Sequence, residues 1–147
     1  MSSYADSNLL IRFLEGDAAT RAPIEERFSP LRGAPGCLVT SRLARMECRV
    51  KHLRDRNDKL LDLWDQFFAS PEFAPLVELT SNVVELATEL RAADWRRTNQ
   101  KQIRVQDFLH LAAAIVVGSD IFLTGDEKLL HTQDTVSDFS KLRLERL

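Results

Sequence analysis

Residues 2–14 read SSYADSNLLIRFL: a short β-favouring stretch at 3–5, one acid, Asp6, and then a helical run through Leu9, Leu10, Phe13 and Leu14 that Gly16 can end. A strand that becomes a helix at a carboxylate is a building unit of an α/β layer fold. The same unit recurs at residues 121–126, IFLTGD, where an apolar strand at 121–124 runs into Asp126. Residues 37–40 form another brief β-favouring run, residues 76–79 a third short strand between Pro75 and Thr80, and residues 142–144 a last one.

Helices fill the intervals. Residues 18–27 form one, ahead of a loop punctuated by Pro30, Gly33, Pro35 and Gly36. From a natural N-cap at Ser41, the residues Leu43, Met46, Val50 and Leu53 recur at helical spacing and predict a buried stripe, with Glu47 on or beside it. Residues 60–68 continue as a helix until Pro71. Asn82 with Glu85 resembles a capping box for a long helix carrying Val83, Leu86, Ala87, Leu90 and Ala93, and residues 107–117 form the next. Short apolar strands alternating with helices predict a single α/β/α domain over residues 1–147, with a central, mostly parallel sheet. In such sheets sites gather beyond the carboxyl ends of the strands.

Composition narrows the function. The 147 residues are 44% hydrophobic and 29% charged, as in an ordinary globular domain. The longest apolar run, residues 111–117, is too short to span a bilayer. The start MSSYADSN lacks the basic end and apolar core of a signal peptide, so a cytoplasmic location is expected. Cys37 and Cys48 lack metal-site spacing and read as small core residues. A net charge of −2 gives no global attraction to nucleic acid. Basic residues do crowd two regions: Arg42, Arg45, Arg49, Lys51, Arg54 and Arg56, then Arg91, Arg96, Arg97, Lys101 and Arg104. Alone these are solvated helix faces.

Four acids carry the chemistry: Asp6, Glu47, Asp107 and Asp126. Each has an ordinary reading. Asp6 can cap the first helix, Asp107 can complement a helix dipole, Asp126 can hold a turn, and Glu47 can pair with an arginine. Asp6 and Asp126 each follow a strand, while Glu47 and Asp107 lie on helices that can lean over the same edge. Carboxylates gathered there repel one another and lose hydration unless a cation compensates them. Oxygen-only ligands point to Mg²⁺ or Mn²⁺. His110, inside an apolar helix, reads as structural rather than as a general base, and Trp95 reads as packing rather than base stacking.

The segments YADSNLL, SRLARMEC, DFLHLAAA and FLTGD, in that order across nearly the whole chain, resemble a PIN domain of the VapC toxin type. No single fragment is specific; the ordered combination is. The resemblance implies a metal-dependent endoribonuclease of a toxin–antitoxin system, with Asp6, Glu47, Asp107 and Asp126 as catalytic, metal-binding acids. Asn8, Ser41 and Thr124 match its supporting positions, and Arg45, Arg49, Arg96, Arg97 and Arg104 would hold RNA. It also implies a cognate antitoxin, a homodimer and contact with DNA only through the antitoxin. Apolar residues on the first helices and at 60–68 exceed what one small sheet covers, which favours association. Two other functions fit the acids: a non-toxin Mg²⁺-dependent phosphoryl-transfer enzyme, although Asn8 stands where its second acid would, and a non-catalytic RNA-binding or interaction domain.

Overall fold

A computed structural model of the chain describes residues 1–73, 75–98 and 103–147; Lys101 of the second basic group lies outside them. Four strands form one parallel sheet: β1 (Ser3–Ala5), β2 (Leu38–Val39), β3 (Ile121–Thr124) and β4 (Arg143–Arg146), in the order β2-β1-β3-β4. The helices are α1 (Ser7–Glu15), α2 (Ala18–Arg32), α3 (Arg42–Arg54), α4 (Asp58–Phe68), α5 (Ser81–Thr98), α6 (Val105–Val116), α7 (Glu127–Leu130) and α8 (Gln133–Ser137). Two separate apolar cores cover the two faces of the sheet. Tyr4 and Phe122 on one face pack with α5 and α6, while Ala5, Ile121 and Leu123 on the other pack with α1–α4. Alternation along each strand sends successive side chains to opposite cores. The α/β/α layering read from the sequence is therefore the observed fold.

The second core is aromatic. Phe13 lies 5.4 Å from Phe28 between ring centres, and Trp64 stacks on Phe68 at 5.6 Å. Glu15, at the end of α1, accepts from the indole Nε1–H of buried Trp64 on α4 (2.8 Å) and lies 3.0 Å from His52 Nε2 on α3, so one carboxylate ties three helices. Gly16 ends α1 with its N–H on the Arg12 carbonyl (3.0 Å). A Cβ there would stand 2.3 Å from that oxygen, so no larger residue fits without moving backbone.

Several sequence expectations are corrected. α2 runs on to Arg32, through Pro23 and Pro30, because Phe28 is buried beyond the expected end. Residues 76–79 form no sheet strand: Val77 makes one isolated parallel bridge to Ser41, and Glu78 and Leu79 face solvent. α5 starts at Ser81, with Thr80 Oγ1 accepting from Val83 N (3.3 Å), so Asn82 is not its cap. On α3 the expected apolar stripe is buried at Leu43 but points outward beyond it. Met46, Val50 and Leu53 are 54%, 57% and 53% exposed, while Leu43, Ala44, Cys48 and His52 are buried. The apolar residues of α4 are not surplus either, since Trp64 and Phe68 fill the aromatic core.

Leu111→Ala, in the fully buried face of α6, is expected to cost about 2–5 kcal/mol in denaturant unfolding. Val116→Ala, exposed on the same helix, should change stability by no more than about 0.5 kcal/mol.

Candidate functional site

The carboxyl ends of β1 and β3 meet at one edge of the sheet. Ala5 is level with Leu123, so Asp6 and Thr124 emerge side by side, and Asp6 N donates to Leu123 O (3.0 Å). Asp6 is only 2% exposed. Its Oδ1 accepts from Ser7 N (2.8 Å), which caps α1, and its Oδ2 accepts from Thr124 Oγ1 (2.9 Å) and Asn8 Nδ2 (3.2 Å). Asn8 Oδ1 in turn accepts from Gly125 N (2.9 Å). Capping and site placement are thus the same act at Asp6: the side chain that starts the helix also faces the strand edge.

α3 and α6 bring two further acids. Buried His110 lies one helical turn beyond Asp107 on α6, and its Nε2 is in very short hydrogen-bond contact with Glu47 Oε1 and 3.7 Å from Asp6 Oδ1. Its Nδ1 is 2.7 Å from the Tyr4 hydroxyl oxygen, which donates its own proton to Ser41 Oγ (2.7 Å). Tyr4 thus offers Nδ1 an acceptor, and the Glu47 carboxylate faces Nε2, an arrangement that favours the protonated ring. The His110 environment agrees. Burial alone would lower its pKa, but the Glu47 hydrogen bond and the charges of Asp6, Glu47 and Asp107 outweigh burial and hold it above its ordinary value. Burial pushes the Tyr4 phenol up, which keeps it a neutral hydroxyl.

Asp107 is equally buried. Its Oδ2 accepts from Arg104 N (3.2 Å) and Arg104 Nε (3.4 Å), and its Oδ1 from Arg104 Nη2 (3.2 Å). Asp126 is placed differently: its backbone N donates to Thr124 Oγ1 (3.1 Å), but its carboxylate turns to Lys128 N (3.0 Å) and caps α7. Three of the four acids therefore form one electrostatic cluster, and the fourth joins it by its backbone. The nearby acids are settled too. Asp120 accepts from Ser2 N (2.8 Å) at the opposite end of β3, and Glu127 pairs with Arg146.

Burial lifts the Asp6 carboxyl above its usual range; His110 and Thr124 pull it back, and Asp107 and Glu47 push it further up. A buried acid still short of positive charge, among oxygen donors, fits a hard divalent ion. Among the described residues no three acid, histidine or cysteine side chains stand ready-set around an ion, because Glu47 is turned to His110 and Asp107 to Arg104. The donors fit such an ion in chemistry, and those two arms are occupied by basic side chains of the protein.

Of the expected basic residues, Arg104 alone pairs with a pocket acid among the described contacts, and several others are engaged elsewhere. Arg45 and Arg49 both reach Asp65 on α4 (3.3 and 2.8 Å), and Arg97 pairs with Asp138. Sequence reading passed over Arg12, whose guanidinium lies against Gly125: a Cβ at 125 would come within 2.6 Å of its Nη1. Its one available signal was its position a single turn after Asn8. A groove of about 570 Å³ lies elsewhere, between α5 and α6, where Val84, Trp95, Phe108 and Leu109 line it and no carboxylate does.

The PIN domain family profile matches residues 3–134. The chain is a PIN domain. Over 99% of its length it superposes on 98% of a chain of DNA-bound VapBC from Salmonella typhimurium (TM-score 0.71, 14% identity). It superposes to the same extent on a chain of VapBC2 from Rickettsia felis bound to a promoter DNA fragment (TM-score 0.67, 15% identity). Comparison with curated protein sequences found no match. No helix among the described residues of this PIN domain is long and apolar enough to cross a membrane.

The pH dependence has a definite sign. His110 and Asp6 both have folded pKa values above their ordinary ones. Each therefore contributes stability that is fully present below its unfolded value and lost as pH rises through its folded value. The metal-free protein is expected to melt at higher temperature in mild acid than at alkaline pH. Asp6→Asn keeps a capping side chain but removes the buried charge, so in chelator at alkaline pH it should melt several degrees above wild type, with a flatter pH profile. Equal pH profiles for the two proteins in thermal melts would contradict this.

Proposed function

We propose that this PIN domain is a divalent-metal-dependent endoribonuclease of the VapC toxin type. The observation that carries the reading is the state of Asp6: a fully buried carboxyl, raised by burial and raised again by Glu47 and Asp107, at the carboxyl edge of a parallel sheet. When bound, Mg²⁺ or Mn²⁺ supplies an acidified water and stabilises charge on the phosphoryl group and leaving oxygen. The remaining work belongs to the chain. Thr124 and Asn8 fix Asp6 Oδ2, while Ser7 N and the adjoining helix start fix Oδ1. The Ser41–Tyr4–His110 series holds Glu47 against the pocket. Asp107 faces inward from the first turn of α6, and Asp126 acts from the rim, directly or through water.

In this reading Arg12, beside Gly125, together with Arg45, Arg49, Arg96, Arg97 and Arg104, would hold RNA phosphates against an otherwise repelling acidic hole. Attack by water leaves 5′-phosphate and 3′-hydroxyl ends. The likeness to VapBC chains supports a cognate antitoxin partner; in this reading DNA is contacted only through that partner. The exposed Met46, Val50 and Leu53 stripe supports a homodimer, and the absence of a spanning helix among the described residues is consistent with work in the cytoplasm.

Purified, partner-free protein incubated with total RNA is expected to cut only with Mg²⁺ or Mn²⁺, and Asp6→Asn should lose cleavage by several orders of magnitude. Mapped ends should carry 5′-phosphates. Cleavage that persists in excess chelator, or full activity in Asp6→Asn, would overturn the mechanism. Co-expression with the product of the adjacent gene is expected to relieve growth inhibition; a neighbour that neither binds nor protects would remove the toxin assignment and leave the nuclease one standing.

A further inference from the structure

We propose that Arg104 is a built-in counter-ion of the acid pocket, holding Asp107 until a divalent cation displaces it and thereby setting which cations the centre accepts. This rests on the metal-dependent reading above. Both guanidinium contacts to Asp107, at 3.2 and 3.4 Å, are longer than the roughly 2.7–2.9 Å of a strong charge-assisted hydrogen bond, so the pair is held loosely. Its two partners differ in freedom. The Asp107 side chain is 6% exposed and stays put, capped by its own helix, whereas the Arg104 side chain is 63% exposed and can swing into solvent without losing a packed core.

Charge explains why the guanidinium rests there. Asp6 and Glu47 add their attraction to that of Asp107, so Arg104 feels all three acids. His110, the other basic side chain of the cluster, faces Glu47 rather than Asp107. A monovalent ion offers Asp107 no more charge than the guanidinium already does, and it must also displace two hydrogen bonds. A divalent ion offers twice the charge and gains from all three carboxylates at once. The arginine therefore acts as a filter: it excludes Na⁺ and K⁺ from a pocket that would otherwise collect them, and it yields to Mg²⁺ or Mn²⁺.

The test is calorimetric titration of chelator-stripped protein with Mn²⁺ at fixed ionic strength, for wild type, Arg104→Ala and Arg104→Gln, with Asp6→Asn as the control lacking the central acid. Removing one unit charge a few ångströms from the ion, at a solvent-screened site, should tighten Mn²⁺ binding on the order of tenfold. Added K⁺ should compete in the variants more strongly than in wild type. Thermal melts check folding, and the glutamine variant retains the side-chain stem if alanine loosens the start of α6. Equal or weaker Mn²⁺ binding in both folded variants, with wild type binding normally, overturns the role of Arg104 and leaves the metal centre intact. No Mn²⁺ binding by any folded protein overturns the metal reading and this inference together, and binding by the variants alone supports it.

Discussion

The parallel pairing of β1 with β3 is the constraint on which the rest depends. Three residues of β1 align with Ile121, Phe122 and Leu123, and that register alone decides that Asp6 stands beside Thr124. A slip of one residue would exchange the two faces of each strand and carry Tyr4 out of the core that holds His110. Tyr4 stacks on Phe122 at 5.2 Å between ring centres, nearly parallel, which locks the register with side chains as well as backbone. Helices α3 and α6 are positioned against a sheet whose edge is already fixed, and they deliver Glu47 and Asp107 to it.

The pocket shows how a protein keeps buried acids without unfolding. Each carboxylate is handled by a different device. Asp6 is fully engaged by a backbone N–H, a hydroxyl and an amide; Glu47 faces the His110 imidazole; Asp107 takes a guanidinium and a helix-start N–H. No cation is among the hydrogen-bond partners of Asp6, and burial drives its carboxyl upward. Hydrogen bonds satisfy geometry more readily than they satisfy charge.

The order of strands and helices was legible in the sequence because short apolar runs, bounded by Gly, Pro and capping residues, leave few other readings. The placement of Asp6 after a strand and of Asp107 in the first turn of a helix was legible for the same reason, but not the turn of the Asp126 carboxylate toward Lys128 N. The inner face of α3 was not. Met46, Val50 and Leu53 have the right spacing for a core stripe, yet the buried positions are Ala44, Cys48 and His52, because small residues let α3 approach α1 and His52 finds Glu15. Periodicity gives a helix its phase, and long-range partners choose which phase is inside. His110 shows the same limit. Reading it as structural matched its burial, but its two partners lie on β1 and α3, more than sixty positions from Glu47 and over a hundred from Tyr4, and no local pattern carries that. Residues 76–79 have β-favouring composition but only the sheet's outer edge to pair with, and they make a single bridge.

The separation of the pocket's parts along the chain has a consequence in time. Asp6 leaves the ribosome well before the groups that fix it: the hydroxyl and the backbone amide that hold it and Asn8 belong to Thr124 and Gly125. Contacts between segments so far apart form late, after a costly loop closure. Until β3 has emerged and slid in beside β1, the nascent chain carries its acids on unrelated segments, each hydrated and independent. Whatever chemistry the assembled pocket performs, the ribosome-bound chain is inert to it until then, and a truncated product ending before β3 stays so.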